Sequence, residues 1–208
     1  MKYLAIDTSG EHLTVIVKKG EEEFIFYDEN TFSKHSLTLM PKIEEMLIDA
    51  KISLDELDFL ACVVGPGSFT GIRIGVSTIK ALCFAKNKPC LKITTFDTLA
   101  YDNVVSGKIL ALVDAKHDNF YACGFDGATV SILPCFINKE KVLELKNEYA
   151  LVSFTDLSLD NLKANRVTGL ISAIENKKGE VTYNLDELEP LYCKKSQAEE
   201  ENDAKNRL

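Results

Sequence analysis

The sequence predicts an α/β fold in which a mixed sheet is flanked by helices. Three observations carry this expectation. The chain opens with three short apolar stretches separated by turns at Gly10 and Gly20. A segment with apolar residues at helical spacing follows. Strand-like and helix-like runs then alternate on either side of a glycine-rich turn at residues 65–75, which gives the order βββαβαβ.

Residues 3–8, 13–18 and 23–27 are short, apolar and closely spaced, so they read as an antiparallel meander. Leu39, Ile43, Met46, Leu47 and Ala50 place one apolar stripe on a helix over 37–51, with Pro41 near enough to its start to be tolerated in the first turn. A strand over 57–64, a helix over 69–86 and a strand over 89–93 follow. A second cycle begins with strands at 109–114 and 120–125 and reads as abbreviated. The natural boundary falls at 103–108, around Gly107.

With 208 residues, 46% of them hydrophobic, the chain can bury a core as one domain or as two small lobes. No apolar run reaches the ~18 residues of a membrane span, and the N-terminus lacks a basic region followed by an apolar one, so a cytoplasmic chain with no membrane association is expected. The six cysteines, at 62, 83, 90, 123, 135 and 193, form no C-x-x-C pair and are expected as reduced core thiols. The net charge is -8, from 32 acidic against 24 basic residues. A chain that gripped an RNA backbone would need a basic patch, and only 86–92 and Lys194-Lys195 are locally basic.

The turn reads Gly-Pro-Gly-Ser-Phe-Thr-Gly-Ile-Arg-Ile-Gly, from Gly65 to Gly75. Five residues separate Gly65 from Gly71 and Ile72-Arg73 follows, so it is not a P-loop; three separate Gly67 from Gly71, so it is not a dinucleotide fingerprint. Two explanations stand side by side: free backbone N–H groups at a helix start that receive a ligand, or glycines that allow a tight turn and close packing. Ser68 lacks the glycine that a nucleophile elbow needs at position 70, where Thr70 stands. His35 has Leu39 four residues later, and His12 and His117 have no partner at ligand spacing, so no metal site is expected. The helix after the turn carries one stripe of Ile74, Thr78, Ala81, Leu82 and Ala85 and a second of Ile72, Val76, Ile79 and Cys83. Such a helix is either buried on both sides or uses one side for docking.

The turn, taken with four other segments in order, resembles the TsaB family, also called YeaZ, paralogues of the TsaD proteins that make threonylcarbamoyladenosine in tRNA. The segments are Leu4-Ala5-Ile6-Asp7-Thr8-Ser9; His35-Ser36 before a helix reaching Pro41 and Leu47; Thr94 to Ala100 with Leu112-Val113-Asp114-Ala115-Lys116 and Tyr121; and Pro190 to Glu199, where Cys193-Lys194 stands in place of the family's Leu-Arg. The resemblance implies the actin-like ATPase (ASKHA) fold of two ribonuclease-H-like lobes. Residues 1–104 would form the N-terminal lobe, 105–198 a smaller C-terminal lobe whose last helix packs back on the first, and 199–208 a polar tail. It also implies a non-catalytic scaffold for a TsaD-like threonylcarbamoyltransferase, joined by a TsaE-like ATPase, with tRNA reached only through the complex and a homodimer when the partner is absent. The implied docking residues are Leu39, Met40, Ile43 and Leu47 on the first helix and Ile72, Val76, Ile79 and Cys83 on the second, so Val76→Asp or Ile79→Asp is expected to weaken the dimer. The family's hallmark loop corresponds to Gly65, Pro66, Gly67, Ser68, Phe69, Thr70, Gly71 and Arg73.

The same superfamily clamps ATP between its lobes. Asp7, Thr8 and Ser9 stand where a first phosphate loop would be, whereas Asp114-Ala115-Lys116-His117 has an acid without glycines, and Val167-Thr168-Gly169-Leu170 is a poor adenosine seat. No tightly bound cofactor is therefore expected, with ATP or ADP only at the interface with partner subunits, and no metal, since the His-x-x-x-His pair of TsaD is missing. The competing functions are an autonomous ATP-dependent phosphotransferase of the sugar-kinase type and, less favoured, a metal-dependent glycoprotease.

Overall fold

A computed structural model describes residues 1–31, 34–102 and 106–194. β1 (Lys2–Asp7), β2 (Leu13–Lys19) and β3 (Glu22–Asp28) form the expected antiparallel meander. α1 (His35–Asp49) crosses to β4 (Phe59–Val63), and α2 (Phe69–Lys86) crosses to β5 (Cys90–Ile93). β4 lies parallel to β1 and β5 parallel to β4, so the first sheet has the order β3-β2-β1-β4-β5. Short α3 (Thr95–Ala100) closes this lobe, capped at Thr94, whose hydroxyl accepts from Asp97 N while the Asp97 carboxylate accepts from Thr94 N.

The second half repeats the plan. β6 (Lys108–Asp114), β7 (Asn119–Asp126) and β8 (Thr129–Asn138) are an antiparallel meander, α4 (Lys139–Leu145) crosses to parallel β9 (Ala150–Ser153), and β10 (Leu162–Lys163) follows before α5 (Arg166–Lys177). The order β8-β7-β6-β9-β10 matches the first sheet strand for strand. This is the two-lobed actin-like arrangement. The second lobe is thus not abbreviated in its sheet, contrary to the sequence reading. Its one omission is between β9 and β10, where residues 154–161 contain no helix, so α2 has no counterpart. The missed strands have a physical reason: β8 is an edge strand exposed along most of its length, so it shows no apolar alternation, and β10 has only two residues.

Alternation within β1 sends Leu4 and Ile6 to one face, against α1 and α2, and Tyr3 and Ala5 to the other. That second face is covered by Leu170, Ala173 and Ile174 of α5, which arrives from the far end of the chain. In exchange, Phe96 and Leu99 of α3 pack on Ile109, Ala111, Cys123 and Val152 of the second sheet. The two helices meet between the sheets. Asp102 accepts from Asn165 N (2.6 Å) and from the Thr168 hydroxyl at one end, and Lys177 Nζ lies 3.3 Å from Asp97 Oδ2 at the other.

One local expectation is corrected. Pro41 lies in the second turn of α1 rather than the first, where it removes the ladder bond to the Leu37 carbonyl. Residues 103–105 of the boundary expected at 103–108, the family-like Ser196 to Glu199 stretch and the 199–208 tail lie outside the described residues. Among the described residues no helix is long and apolar enough to cross a membrane.

Candidate functional site

The glycine-rich turn docks on the chain itself. It leaves β4, passes the cis Gly65–Pro66 peptide and enters α2, whose N-cap Ser68 accepts from Gly71 N at 3.2 Å. Ser68 N donates to Ser9 O (2.6 Å), and Thr8 Oγ1 donates to Gly71 O (2.7 Å). A Cβ on Gly67 would lie under 3.0 Å from Ser9 O, and one on Gly71 under 3.0 Å from Thr8 O. Thr95 completes the seam, with its N–H on Gly65 O and its hydroxyl on Pro66 O. Of the two explanations left open by the sequence, the geometry favours close packing, because the turn lies against the Thr8 and Ser9 carbonyls with no room for a Cβ at Gly67 or Gly71, and the Ser68 and Gly71 amides are engaged within the seam.

The residues expected as a phosphate loop are buried beneath this seam. Asp7, Thr8 and Ser9 are all at most 3% exposed. Asp7 Oδ1 accepts from Ser9 N at 2.8 Å, and Asp7 Oδ2 lies 2.9 Å from His12 Nε2. Among the described residues neither ring nitrogen of His12 has an aligned hydrogen-bond partner, so the approach to Asp7 is a close contact without hydrogen-bond geometry. Burial by itself would raise the Asp7 carboxyl. The charges of His12 and Arg166 overcome it and hold the group well below the usual carboxylate range. Gly10 leaves room for the imidazole, since a Cβ there would sit 2.6 Å from His12 Nδ1. His35, expected as a helix-start or interface residue, is a buried helix-start residue, its Nε2 2.8 Å from His12 O.

Asp114 does not join Asp7. It is largely exposed at the equivalent end of β6 and binds Lys116 through N (2.8 Å) and Nζ (3.0 Å). Val167 to Leu170 belong to α5, and Gly169 abuts the Thr98 carbonyl of α3, so this stretch is a helix-crossing point. The magnesium nucleotide implied by the fold does not fit: the β1 carboxylate, hydroxyl and carbonyl that would face it already face the protein. Among the described residues no group of three or more His, Cys, Asp or Glu could hold a metal ion.

The helices expected to dock a partner divide differently from the reading of the sequence. Ile72, Val76, Ile79 and Cys83 point into the first lobe's core, as do Leu39 and Ile43, so these six cannot form a docking surface. The reason is that the sheet presses on the stripe bearing Gly71 and Gly75, where helix and strand approach most closely. Met40 remains exposed and Leu47 is half-buried. The outward apolar residues are Leu37 (75% exposed), Ile48 (68%) and Phe84 (83%), which the expected list omitted. Leu37, Met40 and Ile48 fall on the side of α1 opposite Leu39, Ile43 and Met46, a spacing that a search for two faces would have found. Between the helices lies an open apolar groove of about 760 Å³, lined by Met40, Leu47, Ile48, Leu54 and Leu82 and edged by Lys51 and Lys86.

Of the loop side chains, Phe69, Thr70 and Arg73 are exposed. The Arg73 guanidinium stacks 3.8 Å from the Phe69 ring centroid and its Nε donates to Tyr192 Oη at 2.8 Å, which fastens the segment after β10 and α5 to α2.

Residues 28–165 match the family model described as "TsaD: tRNA N6-adenosine threonylcarbamoyltransferase". The chain is 36% identical over 121 residues to the tRNA threonylcarbamoyladenosine biosynthesis protein TsaB of Buchnera aphidicola subsp. Schizaphis graminum, covering 57% of each chain. It is 31% identical over 122 residues to the protein of the same name from Haemophilus influenzae, covering 57% of this chain and 51% of that one. The matched stretch therefore spans about half the length of these relatives. The solved structure described as YeaZ from Pseudomonas aeruginosa superposes with a TM-score of 0.76 over 92% of this chain and 99% of the other, at 22% identity, a likeness of fold. With two like-ordered lobes, the Gly65–Gly75 turn seated on β1 and a family match over most of its length, the chain belongs to the TsaB/YeaZ branch of the TsaD family.

Proposed function

We propose that this chain is a non-catalytic scaffold that binds a TsaD-like threonylcarbamoyltransferase through the outward face of α1 and α2. The partner would carry the metal and transfer the threonylcarbamoyl group to N6 of adenosine 37 in tRNAs reading codons that begin with A. A TsaE-like ATPase would join the pair, ATP or ADP would sit only where subunits meet, and the chain would pair with itself when the partner is absent. The observation that carries this reading is that α1 and α2 expose Leu37, Met40, Ile48 and Phe84, and that Met40 and Ile48 line an apolar groove, on a surface where a soluble domain normally shows polar residues. The inward-facing Asp7, Thr8 and Ser9 support it from the other side, since an autonomous phosphotransferase would need them turned toward a nucleotide. A scaffold of this kind acts by contacts that differ between partner conformations.

Light scattering coupled to gel filtration, on the chain alone and mixed with the TsaD-like protein of the same genome, tests the proposal. A homodimer that exchanges for a one-to-one heterodimer is the expected result. Independent elution, with and without nucleotide and the TsaE-like protein, would sink it; ATP binding by the isolated chain would then point to the phosphotransferase.

A further inference from the structure

The buried charges between the lobes have a geometry of their own. Arg166 opens α5, just after the second lobe's last strand, and its guanidinium lies 4.0 Å from the centroid of the Phe154 ring, which follows β9. The other side of the guanidinium faces the first lobe. Its Nη2 lies 3.7 Å from the place a Cβ on Gly10 would take, and Asp7, Tyr27 and Glu29 all act on it electrostatically. Asp7 and His12 are almost wholly buried, 2.9 Å apart. An isolated buried carboxylate is costly, and His12 stands close to Asp7 without being aligned for a hydrogen bond. Arg166 supplies a permanent cation, and it does so from the opposite lobe.

We propose that Arg166 is an interlobe lock: its guanidinium, stacked on Phe154 of the second lobe and facing Asp7, His12 and Tyr27 of the first, fills the cleft position that the fold reserves for a magnesium nucleotide. The lobes are then held in one relative orientation by an internal cation rather than by a ligand. The seam between α3 and α5 continues the lock, because Asn165, next to Arg166, is anchored by Asp102. The inference is independent of the partner proposed above, since it concerns only contacts within this chain.

Hydrogen exchange followed residue by residue tests it, together with urea melts of a double-mutant cycle on the full chain. Arg166→Met keeps an unbranched side chain and removes the charged group that stacks on Phe154; Asp7→Asn removes the other pole. Arg166→Met should speed exchange about tenfold or more in the β1–β2 turn and α5 while leaving α4 unchanged. Arg166→Lys should restore part of the protection, and Arg166→Met combined with Asp7→Asn should be no less stable than the worse single variant. Strict additivity, an equal rise in exchange throughout both lobes, or no local change in a folded Arg166→Met chain would each overturn the lock. So would saturable binding of magnesium ATP to the wild-type chain that is abolished by Asp7→Asn.

Discussion

Replacing Gly71 by alanine tests how the hallmark turn works. The added Cβ would lie under 3.0 Å from Thr8 O, a backbone atom in a fully buried residue at the end of β1. Neither side yields easily. β1 is paired on both edges, to β2 and β4, and the next helical residue, Ile72, is fully buried. Relief requires the first turn of α2 to move by roughly an ångström, an overpacking cost of about 1–3 kcal/mol. The same shift stretches Ser68 N to Ser9 O (2.6 Å) and Thr8 Oγ1 to Gly71 O (2.7 Å), each contributing about 1 kcal/mol net. The expected loss is therefore about 3–5 kcal/mol, measured by urea denaturation with an unchanged m value. Gly179→Ala is the control, since nothing lies within 4 Å of its Cβ position and its φ is ordinary; it should be neutral or stabilise by up to about 1 kcal/mol. A Gly71→Ala chain within about 1 kcal/mol of wild type would refute the packing account and return the turn to the ligand-binding explanation.

The remaining predictions use other parts of the structure. Phe84→Asp and Leu37→Asp should keep wild-type stability within about 0.5 kcal/mol, being exposed, yet weaken association with a TsaD-like partner or with a second copy more than tenfold by light scattering; Ile79→Asp should instead unfold the chain, because Ile79 is fully buried. Asp7 is held ionised well below its unfolded range, so its contribution is present above the unfolded carboxylate pKa of about 4 and declines as pH falls below it. Acid melts between about pH 5 and 2 should show wild type losing more stability than Asp7→Asn; parallel curves would remove that role. The thiols should react slowly with Ellman's reagent in the native chain, because burial pushes Cys83 and Cys123 up to about 12 and Cys193 to about 11. Only Cys135 and Cys193 have partial solvent access, so rapid labelling of more than these two would contradict the core packing.

The first lobe was legible because its elements announce themselves locally. Residues 3–27 alternate, 37–51 repeat at helical spacing, and glycine marks the strand-to-helix turn, so the observed β1 to β5 fall within a residue or two of expectation. The second lobe was harder to read for the opposite reason. β8 has solvent on most of its length, β10 is two residues long and α4 is a helix of seven residues, leaving too few apolar positions to establish a period. Its sheet becomes recognisable only as a spatial copy of the first. The functional residues divide in a similar way. Gly67 and Gly71 stood out in one segment and Asp7, Thr8 and Ser9 in another, and the structure brings the two segments together as partners of one another. Arg166 and His12 showed no signal as a pair, being more than 150 positions apart with no motif around either.

By itself the sequence determined the α/β class, the first lobe's order of elements and the place of its glycine-rich turn between a strand and a helix, because these depend on side-chain size and spacing along one strand or helix. Only the tertiary structure decided which of two apolar stripes on α2 is core and which residues are left outside. It also decided that α3 and α5 cover each other's sheets and that the Asp7 carboxylate answers to cations of its own chain. A helix carries the same residues whichever way it rolls, and the layer pressing on it, supplied by distant segments, settles which of them meet water.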